Sequence, residues 1–223
     1  MLASRGYPTL DLAYSGEPDI PATDQNIRLE YFARALRWLG SQPGVNPHRL
    51  WVTGLSLGSE AAFLVAVHYS GLVHGVAGFS PNDVADCLAD ADSPVWTLGG
   101  KPVPCTSEVN DPHPTDNPAA VIPMANFHGP VFLDCGEADL VWSSCANARV
   151  VMAELASDHD SYPHELLSYP DAGHALGLLV PYCPGFARSE SQFVGGELAG
   201  TSDVANPLAR ASQWPKLLAF LRN

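Results

Sequence analysis

The sequence predicts an α/β protein with a mostly parallel, doubly wound sheet. Short, nearly continuous apolar runs alternate along the 223 residues with segments of helical periodicity. Buried parallel strands joined by helices that cover both faces of a sheet have this pattern. The length favours one sizeable domain over two. We therefore expect a single domain over residues 1–223.

The predicted strands are short apolar runs bounded by turn residues. They cover residues 8–13, 49–53, 73–79, 130–135 and 165–169. Residues 1–5 have the pattern of the last turn of a helix that Gly6 closes. Because a strand follows at once, we expect the chain to begin inside a larger domain, as an N-terminally truncated form of it.

Helices are predicted between several of these strands. The clearest carries an apolar stripe with helical spacing, formed by Leu29, Phe32, Leu36 and Leu39. Thr23 or Asp24 is expected to cap its start. A second helix is expected from about residue 57 to residue 69, and a short final helix at residues 214–221 with Pro215 in its first turn.

Residues 84–125 interrupt the alternation with many prolines. No regular core element fits such a segment, and a connection of this length in a compact domain is usually a lid or a binding loop. We therefore predict a lid-like insertion at residues 84–125.

The charge balance limits the classes of partner. Eleven Lys and Arg against 24 Asp and Glu give a formal net charge of −13. This field repels nucleic acids and anionic membrane surfaces, so we expect neither as a partner. The apolar runs are too short to cross a bilayer, and the first residues lack the pattern of a signal peptide. The expected partner is a small-molecule substrate.

The five cysteines are widely spaced and include no Cys-x-x-Cys pair. This spacing indicates neither a full disulfide framework nor a zinc site, and no cofactor is predicted. A reducing compartment, the cytoplasm, is therefore expected. Cys87 and Cys105 share the Pro-rich stretch, and a bridge between them stays open.

The sharpest local motif is Gly54-Leu55-Ser56-Leu57-Gly58. It follows a predicted strand and opens a predicted helix, which is the context of a nucleophile elbow. A serine on such a tight turn is lifted above the edge of the sheet. We expect both glycines to be required because a Cβ at either position would clash with the neighbouring strand or helix. An inert serine in a structural turn is the alternative.

An activated serine needs a base, and the base needs an orienting acid. His174 lies just beyond the last predicted strand, at the sheet edge where the Ser56 elbow opens. A solvent-facing loop histidine is the alternative. Asp139 follows the strand at residues 130–135 and is the predicted acid, with Glu137 and Asp134 as competitors. The order Ser56, Asp139, His174 is typical of the α/β-hydrolase fold.

Catalysis also requires an oxyanion hole with two donors. The Leu57 amide is the predicted first donor. The second normally comes from a loop after an earlier strand. We find no such loop in the sequence, so activity of the chain by itself is in question.

Segments of the chain together carry a family resemblance: residues 2–7, 13–14, 29–32, 54–58, 96–102, 122–123, 136–142, 169–174, 181–184 and 214–215. On these segments the chain resembles the C-terminal domain of the acyl-CoA thioesterase and bile acid-CoA:amino acid N-acyltransferase family, a branch of the α/β-hydrolases near the dienelactone hydrolases. The resemblance implies Ser56 as nucleophile, Asp139 as orienter and His174 as general base. It also implies that a serine, rather than a cysteine, at the nucleophile position favours hydrolysis over transfer to an amine.

The substrate stays open between an acyl thioester and a carboxylic ester. Coenzyme A carries phosphates, yet Lys101 is the only Lys or Arg between Phe79 and Pro130. Trp96 and Leu98 either line an acyl pocket or pack the insertion down. Three alternatives to a thioesterase remain: a general carboxylesterase of the dienelactone hydrolase type, an acyl-CoA:amino acid N-acyltransferase, and an inactive fragment that lacks the oxyanion loop.

Overall fold

A computed structural model describes residues 1–88, 94–158, 161–177 and 204–223. Its strands and helices follow one another in this order: β1 (Ile27–Arg28), α1 (Leu29–Gly40), β2 (Trp51–Leu55), α2 (Leu57–His68), β3 (Gly75–Phe79), β4 (Trp96–Leu98), β5 (Lys101–Pro102), β6 (Val131–Gly136), α3 (Ser144–Asp158), β7 (His164–Tyr169) and α4 (Ala205–Phe220).

The centre of the molecule is a four-stranded parallel sheet with the order β2-β3-β6-β7. Alternate side chains of its strands point to opposite faces. On one face, Val76 and Leu133 join the main core with α1, α2 and α3. On the other face, Ala77 and Phe132 pack with Trp214 of α4 in a second core. Helices therefore cover both faces, as the alternating sequence pattern predicts.

Four predicted strands coincide with the strands of this sheet, but the strand predicted at residues 8–13 does not form. The segment keeps the alternation of a strand, because Leu10 and Leu12 are half-buried while Thr9 and Asp11 are exposed. It pairs with no described strand, however, and an apolar alternation without a hydrogen-bonding partner does not make a sheet. The prediction of a strand at residues 8–13 is therefore wrong for this structure.

A second, small sheet was not predicted. β1 lies parallel to β4, and β4 turns back antiparallel to β5. β1 occupies the residues just before α1, so the helix begins after Arg28, which makes no side-chain cap, and not at Thr23 or Asp24. Strands of two or three residues are too short to give a periodic pattern.

The final helix starts earlier than its sequence predicts. α4 runs over Ala205–Phe220, so Pro215 lies inside the helix and not in its first turn. Pro207 is the proline that occupies the first turn, where a missing N–H costs no internal hydrogen bond. Pro215 is exposed, and its ring faces away from the core.

The expectation that residues 84–125 hold no regular core element is wrong for β4 and β5, which lie inside this segment. The rest of its described part is largely irregular but well anchored. Isolated bridges join Val84 to Val121 and Asp86 to Thr106. Buried apolar residues of the segment belong to the main core. Movement of the segment as a lid stays a prediction.

Two disulfides join Cys87 to Cys105 and Cys135 to Cys145. The first closes the pair that the sequence left open, and the second was not predicted. Cys183 lies outside the described residues. Disulfides persist mainly in oxidising compartments. The cytoplasmic location that the cysteine spacing favours stays a prediction.

Within the described ranges, no helix combines the length and the apolar character needed to cross a membrane.

Candidate active site

Ser56 occupies the tight turn between β2 and α2. Its backbone has φ 56° and ψ −127°, a strained conformation that residues other than glycine rarely adopt. The surroundings hold it there: the Ser56 amide donates to Phe79 O at 3.0 Å, and Ser56 O accepts the Ser59 amide at 2.7 Å. The turn therefore places the Ser56 side chain at the carboxyl end of the parallel sheet.

The two glycines of the motif have different importance. A Cβ on Gly54 would lie 1.9 Å from the carbonyl oxygen of Gly58, so no other residue fits there. A Cβ on Gly58 would meet only the Tyr14 hydroxyl, at an ordinary contact distance of 3.9 Å. The expectation that both glycines are required by close contacts thus holds for Gly54 and is wrong for Gly58.

The structure brings Ser56, His174 and Asp139 together in one hydrogen-bonded chain. His174 Nε2 lies 2.8 Å from Ser56 Oγ, and His174 Nδ1 lies 2.9 Å from Asp139 Oδ2. The second carboxylate oxygen, Asp139 Oδ1, accepts the amides of Val141 at 2.9 Å and Trp142 at 3.3 Å. Because the carboxylate only accepts, we assign the proton to Nδ1, which leaves Nε2 free to accept from the serine.

The competing acids are placed elsewhere. Glu137 forms an ion pair with Arg149 and accepts a hydrogen bond from Ser168. Asp134 lies inside β6 with its side chain fully buried, and this burial holds the pKa of its carboxyl well above the ordinary value. Among the three candidate acids, Asp139 alone contacts His174.

Close contact between two loops explains how acid and base meet. Gly136 ends β6, and a Cβ there would lie 2.1 Å from Ala172 O in the loop that carries His174. The Ala138 amide donates to the same oxygen at 3.0 Å. The absence of a side chain at Gly136 therefore lets the acid loop and the base loop share a hydrogen bond.

Trp142 supports the site, although no role was predicted for it. Its indole and the His174 ring pack edge to face, with centroids 5.2 Å apart. Its Nε1 donates to Ser80 O at 2.9 Å. Together with its backbone bond to Asp139, these contacts link the acid, the base and the end of β3. The sequence signal for this role is the position of Trp142, three residues after Asp139 in the segment 136–142 that contributes to the family resemblance.

Leu57 is the first residue of α2. Its amide is one of the N–H groups at a helix start that have no partner inside the helix, and the helix dipole makes this end favourable for negative charge. The geometry suits the donor role predicted for Leu57, which stays a prediction.

Trp96 and Leu98 are the candidates for an acyl pocket, and both pack against the core. Trp96 is only 1% exposed, and its Nε1 donates to Glu60 Oε2 at 2.9 Å. Its ring contacts Tyr14 and Phe32, with centroids 5.9 and 6.1 Å away. Leu98 is half-buried against the main core. Trp96 therefore packs the insertion down and offers a substrate almost no surface, whereas a contact between Leu98 and substrate stays a prediction.

Two further carboxyl groups, those of Glu60 and Asp83, are buried around the residues that follow β3. Glu60 accepts hydrogen bonds from Trp96, Asn82 and the Asp86 amide. In the part of the chain that the structure describes, the carboxyl oxygens of Asp83 have no hydrogen-bond partner. Burial raises the pKa of each group to about 8.

We expect the protein to become more stable as the pH falls from about 8 toward 5. Native Asp83 binds a proton below its pKa of about 8, whereas the unfolded chain binds it only near 3.8. In that interval the native state holds more protons, so the free energy of unfolding rises as the pH falls. A shift of one pKa unit corresponds to about 1.4 kcal/mol. Asp83→Asn is expected to raise the melting temperature at pH 8 and to flatten the profile.

Thermal unfolding at several pH values checks this expectation. Asp11→Asn is the matched control, since Asp11 is exposed and its replacement removes one negative charge without touching the core. A profile of Asp83→Asn with the slope of the wild type would contradict the argument.

The family is shown by a sequence comparison. A family model described as BAAT / Acyl-CoA thioester hydrolase C terminal matches residues 27–84 and 100–223. The chain belongs to this family. Over its whole length it is 28% identical to acyl-coenzyme A amino acid N-acyltransferase 2 of Rattus norvegicus and 27% identical to acyl-coenzyme A thioesterase 3 of Mus musculus. It covers 55% and 54% of them, so the chain spans about half the length of these curated relatives.

Solved structures show the fold of this BAAT/thioester hydrolase domain. A sugar hydrolase from Lactococcus lactis is similar with a TM-score of 0.54 and 14% identity, over 87% of this chain and 67% of that one. An acylaminoacyl peptidase from Pyrococcus horikoshii has a TM-score of 0.53 and 10% identity, over 87% of this chain and 27% of that one. The fold is that of the α/β-hydrolases, and the family is one of hydrolases and acyltransferases.

Proposed function

We propose that the protein is a serine hydrolase that cleaves an acyl thioester or a carboxylic ester through an acyl-Ser56 intermediate. The observation that carries the proposal is the His174 ring, which lies within hydrogen-bond distance of both Ser56 Oγ and Asp139 Oδ2. This chain of contacts is the arrangement that activates a serine hydroxyl in unrelated hydrolase folds.

The geometry supports a two-step reaction. Ser56 Oγ attacks the carbonyl carbon while His174 Nε2 takes its proton, and Asp139 stabilises the resulting imidazolium. We assign to the Leu57 amide the stabilisation of the charge that develops on the carbonyl oxygen. His174 then returns the proton to the leaving thiol or alcohol. Water, deprotonated by the same ring, hydrolyses the acyl-Ser56 ester and regenerates the hydroxyl.

The relatives supply the argument for a thioester. Several of them are named acyl-coenzyme A thioesterases. A serine ester is readily hydrolysed, whereas an enzyme thioester is better suited to aminolysis, so Ser56 favours water as the acceptor. A second candidate, transfer of the acyl group to an amine, is supported by the relative named acyl-coenzyme A amino acid N-acyltransferase 2.

Comparison of substrates tests the proposal. We expect the protein to release free thiol from acyl-CoA, or alcohol from nitrophenyl esters, and Ser56→Ala to lose at least about 10³-fold in kcat. Ser41→Ala is the control, because Ser41 is exposed and bonds only within its own turn. Assays with glycine or taurine present separate hydrolysis from amide formation. Activity that survives Ser56→Ala would overturn the proposal, and a folded protein without any activity would favour the inactive fragment.

A further inference from the structure

Two polar side chains of α4 form hydrogen bonds with the backbone of the loop that carries His174. Asn206 Oδ1 accepts the Gly173 amide at 2.7 Å, and Arg210 Nη1 donates to Ala175 O at 2.8 Å. These two bonds engage the residues immediately before and after His174. The backbone on both sides of the ring is thereby tied to one helix.

A third bond joins the same loop to the sheet. Ser80 Oγ donates to His174 O at 2.6 Å. Ser80 directly follows β3 and is fully buried. The hydrogen bonds of α4 and of Ser80 therefore fix the backbone at three successive residues, of which His174 is the middle one.

Burying the polar side chains of Asn206 and Arg210 costs desolvation free energy that hydrogen bonds must offset. They are 3% and 1% exposed. Four residues apart, they lie on the same face of α4. Moving an amide or a guanidinium out of water is unfavourable unless directed hydrogen bonds compensate, and apolar side chains of similar volume would fill such a space at lower cost. Unlike apolar side chains, Asn206 and Arg210 form directed hydrogen bonds to the backbone of the loop that carries His174.

We propose that Asn206 and Arg210 are positioning residues that hold the His174 ring in register with Ser56 and Asp139. The inference rests on the proposed function, since it assigns these residues to the serine hydrolase site. The ring must keep two hydrogen bonds at once, at 2.8 and 2.9 Å. A misplacement of about 1 Å in such a site costs on the order of 10²-fold in rate.

A purely structural role makes a different prediction. Asn206 and Arg210 would then stabilise α4 against the sheet, and any loss of reactivity would follow the loss of stability. Leu217 separates the two possibilities. It is a buried residue of α4 that packs in the second core with Phe132 and Phe220. Leu217→Ala therefore weakens the docking of the helix without removing a bond to the base loop.

The test measures the rate at which a fluorophosphonate labels Ser56, because this probe reports an activated serine without requiring a known substrate. The variants are Asn206→Ala and Arg210→Met, the latter keeping most of the side-chain volume, with Arg210→Lys and Leu217→Ala for comparison. All are assayed at one temperature well below their melting points.

We expect Asn206→Ala and Arg210→Met to be labelled about 10- to 100-fold more slowly than the wild type. Arg210→Lys keeps a donor and is expected to recover most of the rate. Leu217→Ala is expected to melt at lower temperature yet to be labelled at the wild-type rate. If Arg210→Met does not fold, Asn206→Ala decides the question.

Three results would overturn the inference in distinguishable ways. Wild-type labelling of Ser56 together with undiminished labelling of folded Asn206→Ala would remove the positioning role and leave the proposed function standing. A folded wild type that is not labelled at Ser56 would remove both. Slow labelling of Leu217→Ala, in proportion to its lost stability, would assign the two residues to stability alone.

Discussion

Asp139→Asn is expected to lower kcat by about 10⁴-fold while leaving the fold intact. Asp139 Oδ1 accepts two backbone amides, from Val141 and Trp142. The single carbonyl oxygen of an asparagine would take that position, and its NH₂ group would face His174 Nδ1. A ring that accepts at Nδ1 carries its proton on Nε2, so it can no longer accept the proton of Ser56.

Steady-state kinetics and thermal unfolding of Asp139→Asn check this expectation. Glu137→Gln is the control, since Glu137 is a neighbouring carboxylate whose contacts are with Arg149 and Ser168. We expect its rate to stay close to that of the wild type. A large loss in Glu137→Gln with a small loss in Asp139→Asn would mean that the acid has been wrongly assigned.

Gly54→Ala is expected to cost about 4 kcal/mol or more of the free energy of unfolding, among the largest effects of a single substitution. The added carbon would lie 1.9 Å from Gly58 O, 2.2 Å from Gly58 C and 2.8 Å from Ser59 N. All three are backbone atoms of the first turn of α2, so relief requires the helix to move away from β2. The elbow that strains Ser56 would open with it.

Gly58→Ala is the matched control for this loss. Its new methyl group has space, and alanine is about 1 kcal/mol more favourable than glycine inside a helix. We expect its free energy of unfolding to lie within about 1 kcal/mol of the wild type. Denaturant unfolding of the two variants measures the contrast. Equal stability of Gly54→Ala and Gly58→Ala would show that the elbow does not depend on the Gly54 contact.

The central sheet and the candidate triad were predictable from local sequence. Buried parallel strands are short apolar runs, and strands such as β3 and β6 need no partner information to be recognised. Ser56, Asp139 and His174 follow three of these strands, and the carboxyl ends of parallel strands share one edge. The meeting of the three loops is therefore a consequence of topology that the sequence already implies.

The errors have physical causes that a local pattern does not contain. Residues 8–13 alternate like a strand, but strand formation depends on a partner elsewhere in the chain. The pairing of β1 with β4 joins Ile27 to Trp96 across a long sequence separation. α3 was not predicted. Its residues are mostly small, so its two faces differ little in hydrophobicity, although one face is a buried stripe of Cys145, Ala148, Val151 and Leu155.

The supporting residues of the site were the hardest to foresee. Asn206 and Arg210 read as ordinary polar positions of a helix, and their role depends on hydrogen bonds to a loop distant in sequence. Trp142 was visible only as part of a motif. Such residues act through geometry that the fold creates, so only the folded structure reveals them.

Fluorophosphonate labelling followed by peptide mass analysis tests the central claim most directly, because it asks whether Ser56 is an activated nucleophile regardless of substrate. The structure leads us to expect one adduct, on Ser56, that is lost in His174→Ala although that variant stays folded. A folded wild type without an adduct on Ser56, or an adduct that persists undiminished in His174→Ala, would contradict the assignment of Ser56, His174 and Asp139 as a catalytic unit.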